Sequence, residues 1–368
     1  MRILMTTDTI GGVWTFTKDL SSQLLAVGCR VALVSFGRAA SVAQQAWAAQ
    51  QVRRWGDQFR FISSELPLEW MQNNEQVFEE GESLLQDVER EFGADLFLSS
   101  QFCFGALPSN MPRIVIAHSD VLSWARACRP AGLVPSAWLD RYCALVAQGL
   151  LHADAVIAPT QWMLDAVRRN FRLPENAIII PNGRKLPPAR ERVPRRLQAV
   201  TAGRVWDEGK NVSMLADVTP AMPLLVAGEV QHESSQCSAR LGNATLLGPL
   251  EEAELLALFR RSSIYICTSQ YEPFGLAPLE AALCGCAVVA HDLSSLREVW
   301  GEAALYFDDA LSLSGILAAL RNDRQLLART RARSRMRALK FSVRRMAECY
   351  LALFHKLLIT PAIPEYAA

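Results

Sequence analysis

The sequence predicts an α/β protein of two domains, each built on a parallel sheet flanked by helices. Three observations carry this. Short apolar runs alternate with helix-period segments along most of the chain, which is how strands and crossover helices read. The runs are continuously apolar, as expected of strands covered on both faces. At 368 residues the chain is long for one domain, and the proline- and arginine-rich stretch GRKLPPARERVPRR (183–196) interrupts the alternation near its middle. The expected division is a first domain at 1–182, a linker at 183–196, a second domain at 197–340 and a closing segment at 341–368.

The elements follow in order. RILMTT (2–7) reads as the first strand, Gly11-Gly12 as the turn after it, and VWTFTKDLSSQLLAVG as an amphipathic helix ended by Gly28. RVALVSF (30–36) is the second strand. LFLSS (96–100), RIVIAHS (113–119), DAVIAPT (154–160) and AIIIPNG (177–183) continue the series. After the linker, LQAVTAG (197–203), PLLVAGE (223–229), ATLLGP (244–249), IYICTS (264–269) and CAVVAHD (286–292) repeat it.

Composition narrows the class. Hydrophobic residues make up 51% and charged residues 20%, enough to bury two cores, and a net charge of +1 does not indicate a nucleic-acid partner. No apolar stretch approaches the ~18 to 20 residues that span a bilayer. The N-terminus runs straight into a strand pattern and lacks a signal-peptide layout. The nine cysteines are odd in number and scattered, so reduced thiols and a cytoplasmic location are expected. Cys284 and Cys286 read as packing residues. Residues 321–345 carry ten Arg or Lys against one Asp, either a solvated helix face or a peripheral contact with anionic lipid or substrate.

The stretch most suggestive of chemistry is SQYEPFGLAPLEAA (269–282). Pro273 and Pro278 cannot both lie inside one helix. The reading is therefore strand, loop, helix, with Glu272 on the loop, Pro278 and Glu280 in the first helical turn, and Gly275 allowing close backbone approach. A helix N-terminus behind such a loop offers free N–H groups to an anion; alternatively, Glu280 complements its own helix dipole. Gly11-Gly12 lies where α/β sheets bind ligands, yet G-x-G-x-x-G is absent and no acid follows the second strand, so a plain turn stays open. Arg204 and Lys210, after a strand end, suit phosphate or plain solvent. His118, at another strand end, is a functional or a structural histidine. Trp14, Trp124 and Trp138 suit a sugar ring or a core. There is no HExxH, paired CxxC or D-x-D, so no metal site is expected, and no P-loop or G-x-S-x-G.

Together these motifs resemble the retaining nucleotide-sugar glycosyltransferases of family 4 (glycosyl transferases group 1). The resemblance spans nearly the whole chain and is strongest from Thr201 to Phe307. YEPFGLAPLEAALCGCAVVAHDLSSLREVW matches the family signature, including two glutamates with seven residues between. Gly11-Gly12, His118, Pro181-Asn182-Gly183, Arg204 and Lys210 match its other motifs. The resemblance implies a GT-B fold, two Rossmann-like domains with parallel sheets facing across a cleft. The first domain would carry acceptor contacts, the second the nucleotide, and the amphipathic 341–360 segment would return to the first.

It also implies roles. Glu280 would hold the donor ribose and Glu272 the hydroxyls of the transferred sugar. Phe274, Gly275 and Leu276, after Pro273, would present backbone N–H groups toward that sugar and the phosphates, with Gly11 and Gly12 also at the donor. Arg204 and Lys210 would stabilise the leaving phosphate without a metal, and His118 would assist the sugar's developing charge. The expected substrates are a UDP-hexose, with GDP-mannose second, and a hydroxyl acceptor (a sugar, glycolipid or small molecule); no cofactor is expected. Two departures stand out. Five residues rather than four separate Arg204 from Lys210, and Ser119 intervenes between His118 and Asp120. The rivals are a nucleotide-sugar epimerase on the same fold, a non-catalytic binding subunit, and a membrane-surface scaffold.

Overall fold

The computed structural model describes residues 1–186, 194–230 and 241–359. Half of the expected linker (187–193) and the end of the closing segment (360–368) lie outside the described residues. The chain divides into two compact units, the first from Met1–Ser123, Leu133–Gly183 and the last helix, the second from Trp124–Gly132 and the described parts of Arg184–Ser342. Trp124–Gly132, expected inside the first domain, thus groups with the second unit. Its contacts there are specific. A Cβ added to Gly209 would lie 3.0 Å from the Trp124 indole nitrogen, and Arg129 Nε donates to Glu208 Oε2 at 3.0 Å.

The first unit holds β1 (Arg2–Asp8), α1 (Gly12–Ala26), β2 (Arg30–Phe36), α2 (Val42–Trp55), β3 (Phe59–Ser63), α3 (Val77–Phe92), β4 (Leu96–Ser99), β5 (Arg113–Ile116), α4 (Val121–Cys128, shared with the second unit), α5 (Ala137–His152), β6 (Ala155–Ala158), α6 (Gln161–Asn170) and β7 (Ala177–Ile179). Its sheet is parallel, in the order β3-β2-β1-β4-β5-β6-β7, with Ile3 paired to Val31 on one side and Leu96 on the other. β4 and β6 are buried at every residue, which explains their unbroken apolar sequences. Ser41 and Gln44 close a capping box that starts α2.

The second unit holds β8 (Arg196–Ala202), β9 (Leu224–Ala227), β10 (Thr245–Gly248), α7 (Glu252–Arg261), β11 (Ser262–Cys267), α8 (Leu276–Leu283), β12 (Ala287–His291), α9 (Ser294–Trp300), β13 (Leu305–Phe307), α10 (Ala310–Asn322) and α11 (Arg324–Ala338). Its parallel sheet runs β10-β9-β8-β11-β12-β13. Asp309 and Asp323 cap α10 and α11 through their carboxylates. Cys286 is packed as expected, its thiol donating to Phe259 O at 3.1 Å, and burial pushes its pKa up to about 12.

The last helix, α12 (Val343–Ile359), belongs to the first unit and packs on α1, with the Phe16 and Tyr350 rings 6.1 Å apart. Tyr350 and Phe354 are fully buried; burying the Phe354 ring is worth about 1.5–3 kcal/mol, while the Tyr350 hydroxyl finds no hydrogen-bond partner among the described residues, which offsets part of its ring's gain.

Candidate active site

In the second unit the strand order reverses between β8 and β11: β9 and β10 lie to one side, β12 and β13 to the other. Loops leaving the carboxyl ends of the two central strands diverge there, which opens the crevice where such sheets take ligands. Arg204 and Lys210 lie on the loop after β8; Glu272, Pro273, Phe274 and Gly275 lie on the loop after β11. The two loops are tied together. Gly209 O accepts from Gln270 N at 3.0 Å, and Thr268 Oγ1 donates to Lys210 O at 2.7 Å.

Lys210 Nζ donates to Glu272 Oε2 at 2.6 Å, and Ser269 Oγ donates to the same oxygen at 3.2 Å. Burial opposes the lysine's charge, but the Glu272 carboxylate, with Cys267 and Asp207 adding to it, holds the ammonium above its ordinary pKa. The extra residue before Lys210 is taken up in a 3₁₀ turn, Glu208–Lys210, whose Gly209 N–H donates to Asp207 Oδ1 at 2.9 Å. Arg204 does not join the pair. Its Nε and Nη2 donate to Asp207 Oδ2 at 3.1 and 2.5 Å, and its guanidinium lies 5.2 Å from the Trp206 ring.

Gly275 has φ +91°, a left-handed backbone that disfavours side chains, and an added Cβ would stand 2.7 Å from Pro278 Cγ. α8 begins at the next residue, Leu276, and no side chain caps it. Among the described residues the Leu276 and Ala277 N–H groups therefore lack intrahelical and capping partners and carry the positive end of the dipole, while Pro278 has no N–H and Leu279 N donates to Gly275 O at 3.2 Å. Phe274 anchors the turn from below, edge-on to Phe341 at 5.4 Å.

Glu280 lies in the second turn of α8, not the first, because the helix starts at Leu276 rather than at Pro278. Complementing the dipole of its own first turn is thereby weakened as an explanation. Its Oε1 accepts from Arg184 Nε at 2.7 Å. The Arg184 side chain is 2% exposed and also pairs with Glu252. A carboxylate so enclosed is costly to bury without such a hydrogen-bonded partner.

Gly11, Gly12 and His118 lie at the carboxyl edge of the first unit's sheet, whose order reverses between β1 and β4. Gly11 has φ 74° and caps α1, which Gly12 opens. His118 Nε2 lies 3.2 Å from Ser100 Oγ, just past β4, and its ring packs edge-on to Phe16 at 4.8 Å. Burial pushes its pKa down to about 4, so the imidazole is neutral at pH 7. Asp120 is turned inward: Oδ1 accepts from Ser123 N at 2.9 Å and Asn170 Nδ2 at 3.0 Å. Trp14 is a core residue, 5.4 Å from Trp47, and Trp138 donates from its indole to Met71 O at 2.7 Å.

Sequence reasoning missed Ser100, Arg184, Asp207 and Ser269. Each acts through a partner that only the fold brings near, or is a common polar residue with no spacing signal. Among the described residues, no cluster of three or more His, Cys, Asp or Glu side chains could hold a metal ion.

Two Rossmann-like units, each with its loops gathered at a reversal of strand order, make up the GT-B fold, and the family matches, not the fold alone, make the chain a member of the GT-B glycosyltransferases. Its halves match two family models: Glycosyltransferase Family 4 over residues 10–186 and Glycosyl transferases group 1 over residues 209–335. The chain is 28% identical over 153 residues to the serotype-specific mannosyltransferase WbdA of Escherichia coli, covering 39% of this chain and 19% of that protein. It is 35% identical over 127 residues to glycogen synthase of Mycobacterium tuberculosis, covering 31% of this chain and 30% of that protein. The matched segments thus span well under half of these relatives. In fold it is similar to sucrose-phosphate synthase of Thermosynechococcus elongatus (TM-score 0.77, 17% identity, covering 98% of this chain and 99% of that one). It is also similar to Anabaena HepE, solved with UDP and glucose (TM-score 0.73, 16% identity, covering 97% of this chain and 100% of that one).

Proposed function

We propose that the chain is a retaining hexosyltransferase that moves a hexose from a nucleotide diphosphate sugar to a hydroxyl acceptor, in glycan, polysaccharide or glycolipid synthesis. The observation that carries this is the Lys210–Glu272 pair at the strand-order reversal of the second sheet, beside the uncapped start of α8. Residues 197–340 are assigned to the donor, 1–182 to the acceptor, and 341–368 to the segment returning to the first domain.

The chemistry asks for what this arrangement offers. The bond from the anomeric carbon to the diphosphate breaks, and negative charge grows on the leaving phosphate. Lys210, Arg204 and the first N–H groups of α8 are preorganised to receive it. Glu272 accepts hydroxyls of the sugar, and Glu280 those of the ribose. The acceptor oxygen bonds to the same face of the anomeric carbon, and its proton passes to the leaving phosphate. His118, neutral at pH 7, contributes a hydrogen bond rather than a charge. The reaction needs no metal on this reading, since fixed cations and helix N–H groups supply the positive field.

UDP-hexose is the favoured donor and GDP-mannose the second, an order set by prevalence in the family; the mannosyltransferase and glycogen synthase relatives fit either. The scattered cysteines favour a cytoplasmic setting. The test is thermal stabilisation by UDP, GDP, ADP and their sugars with chelator present. A ligand at 100 times its Kd adds about 2.7 kcal/mol. We expect a shift with one nucleotide class, and chelator-insensitive transfer. A strict need for Mg²⁺ or Mn²⁺ sinks metal independence. Free epimerised sugar formed without acceptor, or binding without turnover, points to the epimerase or the binding subunit.

A further inference from the structure

The basic run noted in the sequence folds into α11, and its arginines divide by face. On the packed side, Arg331 Nε donates to Gly285 O at 2.8 Å and Arg337 Nε to Val299 O at 2.5 Å, alongside the buried Thr330, Ser334 and Ala338. On the open side, Arg324, Arg329, Arg333 and Arg335 are exposed, and among the described residues none of their side chains makes a hydrogen bond or an ion pair.

Their arrangement is ordered. At about 100° per residue, Arg324 and Arg335 fall within about 20° of each other along one margin, and Arg329 and Arg333 lie about 140–180° round, along the other. Between the margins stand Ala328, Ala332, Gln325, Met336 and Leu339, with no acid. Met336 is 65% exposed and Leu339, at the helical C-cap, 54%. The open face is thus a stripe of Met336, Leu339 and two alanines, broken only by Gln325 and bracketed by two cationic rails, about 16 Å long from Arg324 to Arg335.

We propose that this face docks on an anionic lipid bilayer. Methionine and leucine would enter the boundary between headgroups and acyl chains, while the flanking guanidinium groups stay at headgroup level on their apolar stems. A second copy of the chain is disfavoured, since pairing by this face would set arginine rails against each other. Nucleic acid would use the rails but leave the apolar stripe idle.

The test is co-sedimentation of the full chain with phosphatidylcholine vesicles, with and without phosphatidylglycerol, over a salt series. We expect salt-sensitive binding that requires phosphatidylglycerol. Reversing the four arginines (R324E, R329E, R333E, R335E) should cut partitioning at least about tenfold. A second variant, Met336→Ser with Leu339→Ser, should weaken binding several-fold and leave its salt dependence intact. Melting temperatures should match the parent, because none of the four arginine side chains has a partner among the described residues; replacing them with Gln gives a milder set if charge reversal disturbs folding. No vesicle binding by the parent, or binding untouched by both sets, overturns the proposal. Competition by single-stranded RNA with no effect of the serine variant makes the face a nucleic-acid surface instead, and overturns it too.

Discussion

Glu272 and Glu280 stand eight positions apart and hold different partners: a lysine from the neighbouring loop, and a buried arginine next to the boundary between the units. The sequence showed the two carboxylates and the prolines that separate them. It showed neither partner by spacing, since Arg184 is 96 residues from Glu280. Ser100, against His118, was equally invisible. With the roles proposed above, His118→Ala should lower kcat roughly 100-fold with little change in donor KM. Glu280→Ala should raise donor KM about tenfold or more and spare kcat; steady-state kinetics with the donor varied separates the two, and unchanged kinetics in both rejects the site. A third carboxyl, Glu69, is fully enclosed and accepts from Phe102 N at 2.9 Å. Burial pushes its pKa up from 4.5 to about 7. The unfolded chain releases this proton near 4.5 while the folded chain keeps it to about 7, so stability falls as pH rises across that window and levels off above it. Glu69→Gln removes the titration. Its stability should equal the parent's near pH 4 and exceed it at pH 8, by about 3 kcal/mol at full ionisation, with melting temperatures diverging in the same direction; a pH-independent difference refutes this.

Among the elements, those with unbroken apolar runs were legible, because strands covered on both faces need nothing else. β3 and β13 were not. β3 (FRFIS) carries an exposed arginine on an edge strand, and β13 is only three residues long. Pro278 lies in the first turn of α8, as expected, but Glu280 falls in the second, because the helix already opens at Leu276 behind Gly275. That glycine makes the strongest prediction here. Gly275→Ala meets both a left-handed backbone and the Pro278 ring, so it should cost about 1–3 kcal/mol and abolish nucleotide stabilisation. Gly11→Ala meets a different backbone problem, φ 74° with ψ −146°, close to a region that essentially only glycine populates, with nothing within 4 Å of the new Cβ. Its cost should come from the backbone alone and leave nucleotide stabilisation in place, and melting curves of the pair with and without nucleotide decide it.

For the whole molecule, the two-unit division was legible from length, alternation and the interrupting prolines. The assignment of Trp124–Gly132 to the second unit was not, because it rests on a tryptophan over one glycine and an exposed arginine–glutamate pair. Ending the chain after Ser342 removes α12 from the first unit and leaves the second unit's sheet intact. Hydrogen exchange should then accelerate in α1 and β1 while β8 to β13 keep their protection; the reverse pattern would show that α12 supports the second unit. The placement of α12 also bears on the order of events at the ribosome. The second unit has all its residues once Ser342 is made, whereas the first, begun hundreds of residues earlier, lacks its last layer until Ile359. Domains usually finish in the order in which they are synthesised. Here the sheet translated first is completed last, and the apolar side of α1 stays uncovered throughout translation of its neighbour.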